Sequence, residues 1–201
     1  MPRLQTDVIG LTALGLVFLA WIGFGLTFLL RKKPPNVEEA KRAPAAMWGI
    51  LLQTFSFAFI WLSGRPLWWP FPPSRAGELV LAVVAVTLAY VSCLFSLQAV
   101  RALGKQWTYQ ARVIQGHELI THGPYAVVRN PIYLGMLGML VATGLVFSRW
   151  WSLLGALIFF LIGNQIRIRA EEKLLRETFG SQFDDYARRV PAFFPRLLKH
   201  N

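Results

Sequence analysis

The stretch 122–133, HGPYAVVRNPIY, gathers side chains that bind ions or exchange protons inside an otherwise apolar region. Asn130 followed by Pro131 indicates a helix start, because Asn caps free N–H groups and Pro is tolerated at the first helical position. Arg129 stands just before this start, where an arginine and a helix N-terminus together favour a carboxylate or phosphate. Tyr133 falls in the first turn and can direct its hydroxyl to the same place. The pattern predicts an anion-binding site.

A second reading of the same residues is open. Arg129 agrees with the excess of basic residues on the cytoplasmic side of membrane proteins, and Tyr133 agrees with their interfacial aromatic belt. The Gly123-Pro124 turn can nevertheless bring His122 and Tyr125 back toward the arginine.

Glu171 and Glu172 form a second cluster, one to two helical turns beyond an apolar window. A carboxylate at this place can hold hydroxyl groups or an ammonium group. The alternative is pairing along a helix surface, because Arg167 precedes Glu171 by four residues and Arg176 follows Glu172 by four.

The cysteine and histidine residues of the chain give little indication of a zinc site. Cys93 is the single cysteine, and its position in an apolar window favours a small packing residue. His117 and His122 have no further ligand at a spacing that a metal demands. We therefore predict no metal site.

Long windows without charged residues indicate the helices that position these side chains. About 20 apolar residues cross the roughly 30 Å hydrocarbon core as a helix. Five windows approach this length, at 8–30, 43–64, 79–100, 131–148 and 150–166. They predict an all-α integral membrane protein with about five transmembrane helices, three within residues 1–100 and two within residues 101–201.

The basic residues set the orientation. The net charge is +11, and all but four of the 21 Lys and Arg residues fall on one side of the predicted membrane; the exceptions are Arg3, Arg65, Arg75 and Arg149. The positive-inside rule then places the amino terminus outside and the carboxyl terminus in the cytoplasm. Topology and anionic membrane lipids account for the basic excess, so we expect no nucleic-acid partner.

Two polar regions, 101–130 and 167–201, hold the chemistry-bearing residues on the cytoplasmic side. In the first, the Gln115-Gly116-His117 turn between two short β-prone runs predicts a hairpin-like excursion. In the second, the pattern predicts that the fifth helix continues out of the membrane to Gly180, and that residues 183–190 form a short amphipathic helix.

Small residues mark one face of the fourth predicted helix. Gly135, Gly138 and Ala142 lie at i, i+3 and i+7, where they allow close approach of another helix or leave room for a ligand. Close packing is the favoured interpretation.

Taken together, the motifs resemble a known group of membrane enzymes. The matching segments are LGxxW at 103–107, LITHGPY at 119–125, RNPIY at 129–133, EExxL at 171–175, then Phe179-Gly180, Tyr186 and Val190-Pro191. Residues from about 101 to 195 are similar to the isoprenylcysteine carboxyl methyltransferase and phospholipid methyltransferase superfamily. Two departures are Asn130, where the prenylcysteine enzymes often have His, and Phe183, where Tyr is common.

The resemblance implies S-adenosylmethionine as methyl donor, bound in a cytoplasmic pocket formed by the C-terminal half. It implies a reaction site containing Arg129, Tyr133, Glu171 and Glu172. It also implies a cofactor site shared by Trp107, His122, Gly123, Tyr125, Asn130, Pro131, Tyr133 and Glu171. The acceptor would be a lipophilic or lipidated molecule in the membrane, with the carboxylate of a prenylcysteine-like substrate favoured. The oligomeric state stays open.

Three alternatives stay open at the level of sequence. One is N-methylation of a phospholipid amine, which needs a base such as His122 or a glutamate. Another is an NADPH-dependent sterol-type reductase, whose C-terminal half is similar. The third is a non-enzymatic transport or scaffold protein, which the charge-free windows disfavour because transport paths usually contain ionisable residues or broken helices.

Overall fold

The computed structural model describes residues 8–30, 39–42, 45–64, 74–104, 112–114 and 118–195. These contain six α-helices, a two-stranded sheet and a short 3-10 helix. The helices are α1 (Val8–Leu29), α2 (Ala46–Leu62), α3 (Arg75–Leu103), α4 (Pro131–Phe147), α5 (Trp150–Phe179) and α6 (Ser181–Arg189). Each charge-free window holds one helix, which confirms the all-α membrane class.

Helix length separates the five apolar helices into two groups. Three of them, α1, α3 and α5, are long and apolar enough to cross a membrane. The other two, α2 and α4, have 17 residues each, which is about 25 Å at the rise of an α-helix and a few ångströms less than a bilayer core. Five spans therefore stay a prediction, with α2 and α4 at the lower limit of length.

Local signals explain the helix boundaries. The Ser74 side chain accepts a hydrogen bond from the backbone N–H of Gly77 at 3.3 Å and caps α3. Pro131 occupies the first turn of α4, as predicted. Gly180 has a φ of 53°, a left-handed conformation that favours glycine, and it ends α5 where the sequence predicts. The helix α6 follows at once, two residues ahead of its predicted start.

Glycine residues allow two close helix crossings. A β-carbon at Gly135 would overlap the Ser96 hydroxyl of α3, and one at Gly138 would overlap Ser92. Ala142, further along the same face, is fully buried. The small-residue face of α4 therefore packs on α3, which confirms the favoured interpretation.

The second crossing joins α2 to α5. A β-carbon at Gly163 would lie 2.8 Å from the Gly49 carbonyl oxygen, so the two backbones are in direct contact. Phe59, ten residues further along α2, faces Gly155 of α5, so the two helices run antiparallel. The arrangement brings the first half of α2 against the middle of α5, where Gly49 meets Gly163 and Arg167.

The predicted hairpin is wrong about which segment pairs with its first strand. Residues Arg112–Ile114 form strand β2, but β2 pairs antiparallel with β1 (Glu39–Arg42), with Lys41 opposite Val113. Residues 118–121, the expected second arm, have no regular secondary structure, and the turn at 115–117 lies outside the described residues. The strand finds its partner in the linker between α1 and α2, which local sequence patterns do not reveal.

Candidate active site

The start of α4 and the far end of α5 converge through an ion pair. Arg129 donates from Nε to Oε1 of Glu172 at 2.9 Å and from Nη2 to Oε2 at 3.0 Å. The two side chains are only 12% and 16% exposed. A bidentate pair in this setting is among the stronger polar contacts in proteins. Arg176, the partner predicted for Glu172 by helix spacing, contacts Asp184 of α6 instead.

Arg129 also holds the chain that follows α6. Its Nη1 donates to the carbonyl oxygens of Ala187 and Val190. With Nε and Nη2 on Glu172, most of the guanidinium N–H groups already have protein acceptors. The side chain therefore clamps α6 to α5, and in this arrangement it has little capacity left to bind a ligand carboxylate.

The backbone at the start of α4 is covered by the segment 190–193. The Arg129 N–H donates to the Pro191 carbonyl at 2.9 Å, and the Asn130 N–H donates to the Ala192 carbonyl at 3.1 Å. The Asn130 side chain also donates to Ala192, at 2.9 Å, and makes no capping bond. Asn130 thus occupies the cap position, as predicted, but its amide secures the C-terminal segment instead of the helix N–H groups.

Tyr133 and Glu171 form a second link between α4 and α5. The Tyr133 hydroxyl donates to Oε1 of Glu171. Arg167 approaches the same oxygen at 3.5 Å from Nη2 and places its guanidinium 4.5 Å from the centre of the Tyr133 ring, a cation–π distance. The Glu171 side chain is 24% exposed, and two partners orient its carboxylate.

The polar network continues into α2. Arg167 Nη1 donates to Oε1 of Gln53 at 3.0 Å, and the Gln53 amide faces Oδ1 of Asn164 at 3.5 Å. Both amide side chains are 2% exposed. Gln53 was not among the predicted site residues. An amide inside a charge-free window is nevertheless a signal, because polar side chains are costly there unless they have partners.

Two tyrosines, Tyr125 and Tyr186, connect α6 to the segment that precedes α4. The Tyr186 hydroxyl of α6 donates to the backbone carbonyl of Tyr125 at 2.7 Å. Burial raises the pKa of the Tyr125 phenol, and the neighbouring Glu171 charge raises it further. Burial is also the main cause of the raised pKa of Tyr186. Both phenols are therefore neutral hydrogen-bonding groups at neutral pH.

The remaining predicted residues lie at the edge of this cluster or beyond it. Gly123 and Tyr125 belong to the 3-10 helix Gly123–Ala126, and Gly123 has a φ of 61° that favours glycine. His122 precedes it and is exposed. Trp107 lies outside the described residues. Phe183, the departure from the usual tyrosine, is fully buried, with the Arg129 guanidinium 6.0 Å from its ring centre.

Comparison with known proteins gives this geometry a family. The model of the phospholipid methyltransferase family matches residues 80–182, about half of the chain, including Arg129, Tyr133 and both glutamates. The chain belongs to the phospholipid methyltransferase family. This agrees with the resemblance drawn from the motifs.

Curated relatives carry several kinds of name. The chain is 37% identical over 123 residues to the nickel-cobalt-cadmium resistance protein NccN of Alcaligenes xylosoxydans xylosoxydans, covering 61% of the chain and 52% of the relative. It is 28% identical over 117 residues to a probable protein-S-isoprenylcysteine O-methyltransferase of Oryza sativa subsp. indica, covering 57% and 61%. It is 33% identical over 93 residues to methanethiol S-methyltransferase 2 of Bradyrhizobium diazoefficiens, covering 45% and 34%. The chain thus spans between a third and two thirds of these relatives.

Proposed function

We propose that the protein transfers a methyl group from S-adenosylmethionine to a lipophilic acceptor held in the membrane. The observation that carries the proposal is the convergence of Tyr133, Glu171 and the Arg129–Glu172 pair where α4 begins and α5 extends beyond its apolar part. Membership of the phospholipid methyltransferase family supports methyl transfer as the reaction.

The residues at this place fit the proposed cofactor. S-Adenosylmethionine supplies an electrophilic methyl group on a sulfonium, and it also carries an ammonium group, ribose hydroxyls and an adenine ring. Glu171 accepts its protein contacts through Oε1, so Oε2 is suited to an ammonium or hydroxyl group. The buried rings of Tyr125 and Tyr133 offer surfaces for a cation or a base. Trp107, His122, Gly123, Asn130 and Pro131 complete the proposed cofactor site.

We assign two roles to the four proposed reaction-site residues on the basis of their contacts. Tyr133 and Glu171 present groups to the ligand, whereas Arg129 and Glu172 hold each other and the α6 segment in place. The protein would act mainly by fixing donor and acceptor in line and by excluding water. The clamp made by Arg129 serves this purpose because it keeps residues 190–193 over the start of α4.

The favoured acceptor is the carboxylate of a prenylcysteine-like molecule. A carboxylate needs no general base before methylation, and the rice relative is named for an isoprenylcysteine substrate. A phospholipid amine is the alternative, because the family is named for phospholipids. It requires removal of an ammonium proton, for which His122 and Glu171 are the candidates.

The decisive experiment uses the full chain in lipid nanodiscs with S-adenosylmethionine labelled in its methyl group. Label is expected in a prenylcysteine analogue, and phosphatidylethanolamine and methanethiol serve as comparison acceptors. Transfer to phosphatidylethanolamine alone would replace the carboxylate proposal by the amine alternative. S-Adenosylhomocysteine should raise the melting temperature, and NADPH should not. No labelled product and no shift with S-adenosylhomocysteine would refute methyl transfer, and a shift with NADPH alone would favour the reductase.

A further inference from the structure

We infer that Gln53 of α2 is a positioning residue of the proposed cofactor site, acting through Arg167 on Glu171. The inference rests on the proposed function and extends it to a helix that the family match, residues 80–182, does not include. In this arrangement α2 also borders the proposed active site, together with the start of α4 and the far end of α5.

Geometry links the Gln53 side chain to α5, through hydrogen bonds with Arg167 and Asn164. Its side chain is 2% exposed and lies about 10 Å into α2, since seven residues separate it from Ala46. Its Oε1 accepts a hydrogen bond from Arg167 Nη1 at 3.0 Å. The other terminal nitrogen of Arg167 is the one that approaches Glu171. One guanidinium thus joins the buried amide to the partly exposed carboxylate.

The planar guanidinium makes this link directional. The two terminal nitrogens of Arg167 contact residues of different helices, Gln53 of α2 and Glu171 of α5, and its Cζ lies 4.5 Å from the centre of the Tyr133 ring. Since the group is rigid, holding one nitrogen on Gln53 limits the directions in which the other nitrogen can meet Glu171. Without the amide, the guanidinium can rotate about its long side chain, and Glu171 loses one of its two orienting partners.

The backbone contact between α2 and α5 explains why the Gln53 amide reaches Arg167. Gly49 and Gly163 let the helices touch, and Gln53 follows Gly49 by one turn on the same buried face of α2. A polar side chain buried here costs stability unless it has a partner. Helix attachment alone does not require a link to the ligand-facing carboxylate, which is what the contact with Arg167 supplies.

The test compares variants of the full chain in nanodiscs by calorimetric binding of S-adenosylhomocysteine. Gln53→Met keeps the side-chain length and removes the amide; we expect about tenfold weaker binding, ~1.4 kcal/mol. Gln53→Glu restores an acceptor for Arg167 and should bind within about threefold of wild type, ~0.7 kcal/mol. Ser56→Ala is the matched control, because Ser56 lies on the same buried face of α2 and its hydroxyl has no partner among the described residues.

A double variant separates positioning from packing. If Gln53 acts through Arg167, adding Gln53→Met to Arg167→Met should weaken S-adenosylhomocysteine binding no further than Arg167→Met alone. Should Arg167→Met fail to fold, the Met and Glu variants of Gln53 decide the matter. Wild-type affinity in Gln53→Met, equal losses in Gln53→Met and Ser56→Ala, or additive losses in the double variant would each overturn the inference.

The inference and the proposed function can fail separately. A wild-type chain that does not bind S-adenosylhomocysteine overturns the proposed function. The contact itself is then tested by melting temperature, where Gln53→Met and Arg167→Met should be non-additive because each removes the same hydrogen bond. Additive melting shifts would show that Gln53 and Arg167 are not coupled.

Discussion

Removing the Arg129 side chain should release α6 and the segment that follows it. Arg129 is the residue that joins Glu172 of α5 to the carbonyl oxygens of Ala187 and Val190. With exposures of 12% and 16% for the pair, Arg129→Ala leaves a carboxylate and two carbonyls without their donor. Breaking a buried pair in this way costs about 3–5 kcal/mol, and for this partly buried pair we expect the lower end of that range. Local opening of this region should therefore become at least two orders of magnitude more frequent.

Limited trypsin digestion measures this opening directly. Arg188 and Arg189 are exposed, but cleavage needs the local backbone to leave the helix. When opening and closing are faster than cleavage, the cleavage rate follows the population of the open state. We expect roughly 100-fold faster cleavage at these two sites in Arg129→Ala, together with loss of methyl transfer.

Arg176→Ala is the matched control. Arg176 also joins α5 to α6, through Asp184 at 2.8 Å, but the two side chains are 52% and 45% exposed. Exposed ion pairs contribute little to stability, so cleavage should change a few-fold at most. Equal cleavage rates in wild type and Arg129→Ala, or equal increases in the two variants, would refute the clamp.

Three further predictions concern the ligand, the pH and the helix contact. Glu171→Gln should weaken S-adenosylhomocysteine binding about tenfold by calorimetry. The control Glu177→Gln changes an exposed carboxylate of the same helix and should not weaken binding. Equal effects of the two variants would exclude Glu171 from the site. Because the pKa values of Tyr125 and Tyr186 are raised above 10.0 in the fold, the unfolded chain loses these protons first, and stability should fall as the pH rises above about 10. The melting temperature between pH 8 and 11 measures this, Tyr186→Phe should flatten the fall, and an unchanged slope would exclude the tyrosine. Gly163→Ala should destabilise the chain by about 1–3 kcal/mol because the new methyl meets the Gly49 backbone. The control Gly15→Ala, where a β-carbon would have nothing within 4 Å, should not destabilise it. Equal melting temperatures of the two variants would contradict the close crossing.

The helices and their ends could be predicted because their signals are local. Charge-free windows indicate membrane helices at any position, because the length of apolar chain that crosses the hydrocarbon core does not depend on which other helices lie beside it. Pro131 and Gly180 mark a start and an end through their own backbone preferences. For the same reason the continuation of α5 beyond its apolar part was visible as a change from apolar to amphipathic pattern.

Partner choice could not be predicted at the same level. Helix spacing pairs Glu172 with Arg176, but the structure pairs it with Arg129, 43 residues away. The strand at 112–114 likewise pairs with residues 39–42. A role for Gln53 could be inferred only from its contact with α5. Each of these contacts depends on the direction in which two distant helices or strands approach each other.

The amino-acid sequence by itself determined the membrane class, the helix boundaries and the identity of most polar residues near the proposed site. Only the tertiary structure decided which of them bind one another, and this pairing is the basis on which we propose ligand groups and scaffold groups. The physical reason is that an arginine or glutamate has the same local preferences in both roles. Its role follows from how many of its donors and acceptors the neighbouring helices already occupy, and Arg129 and Glu171 differ in this respect.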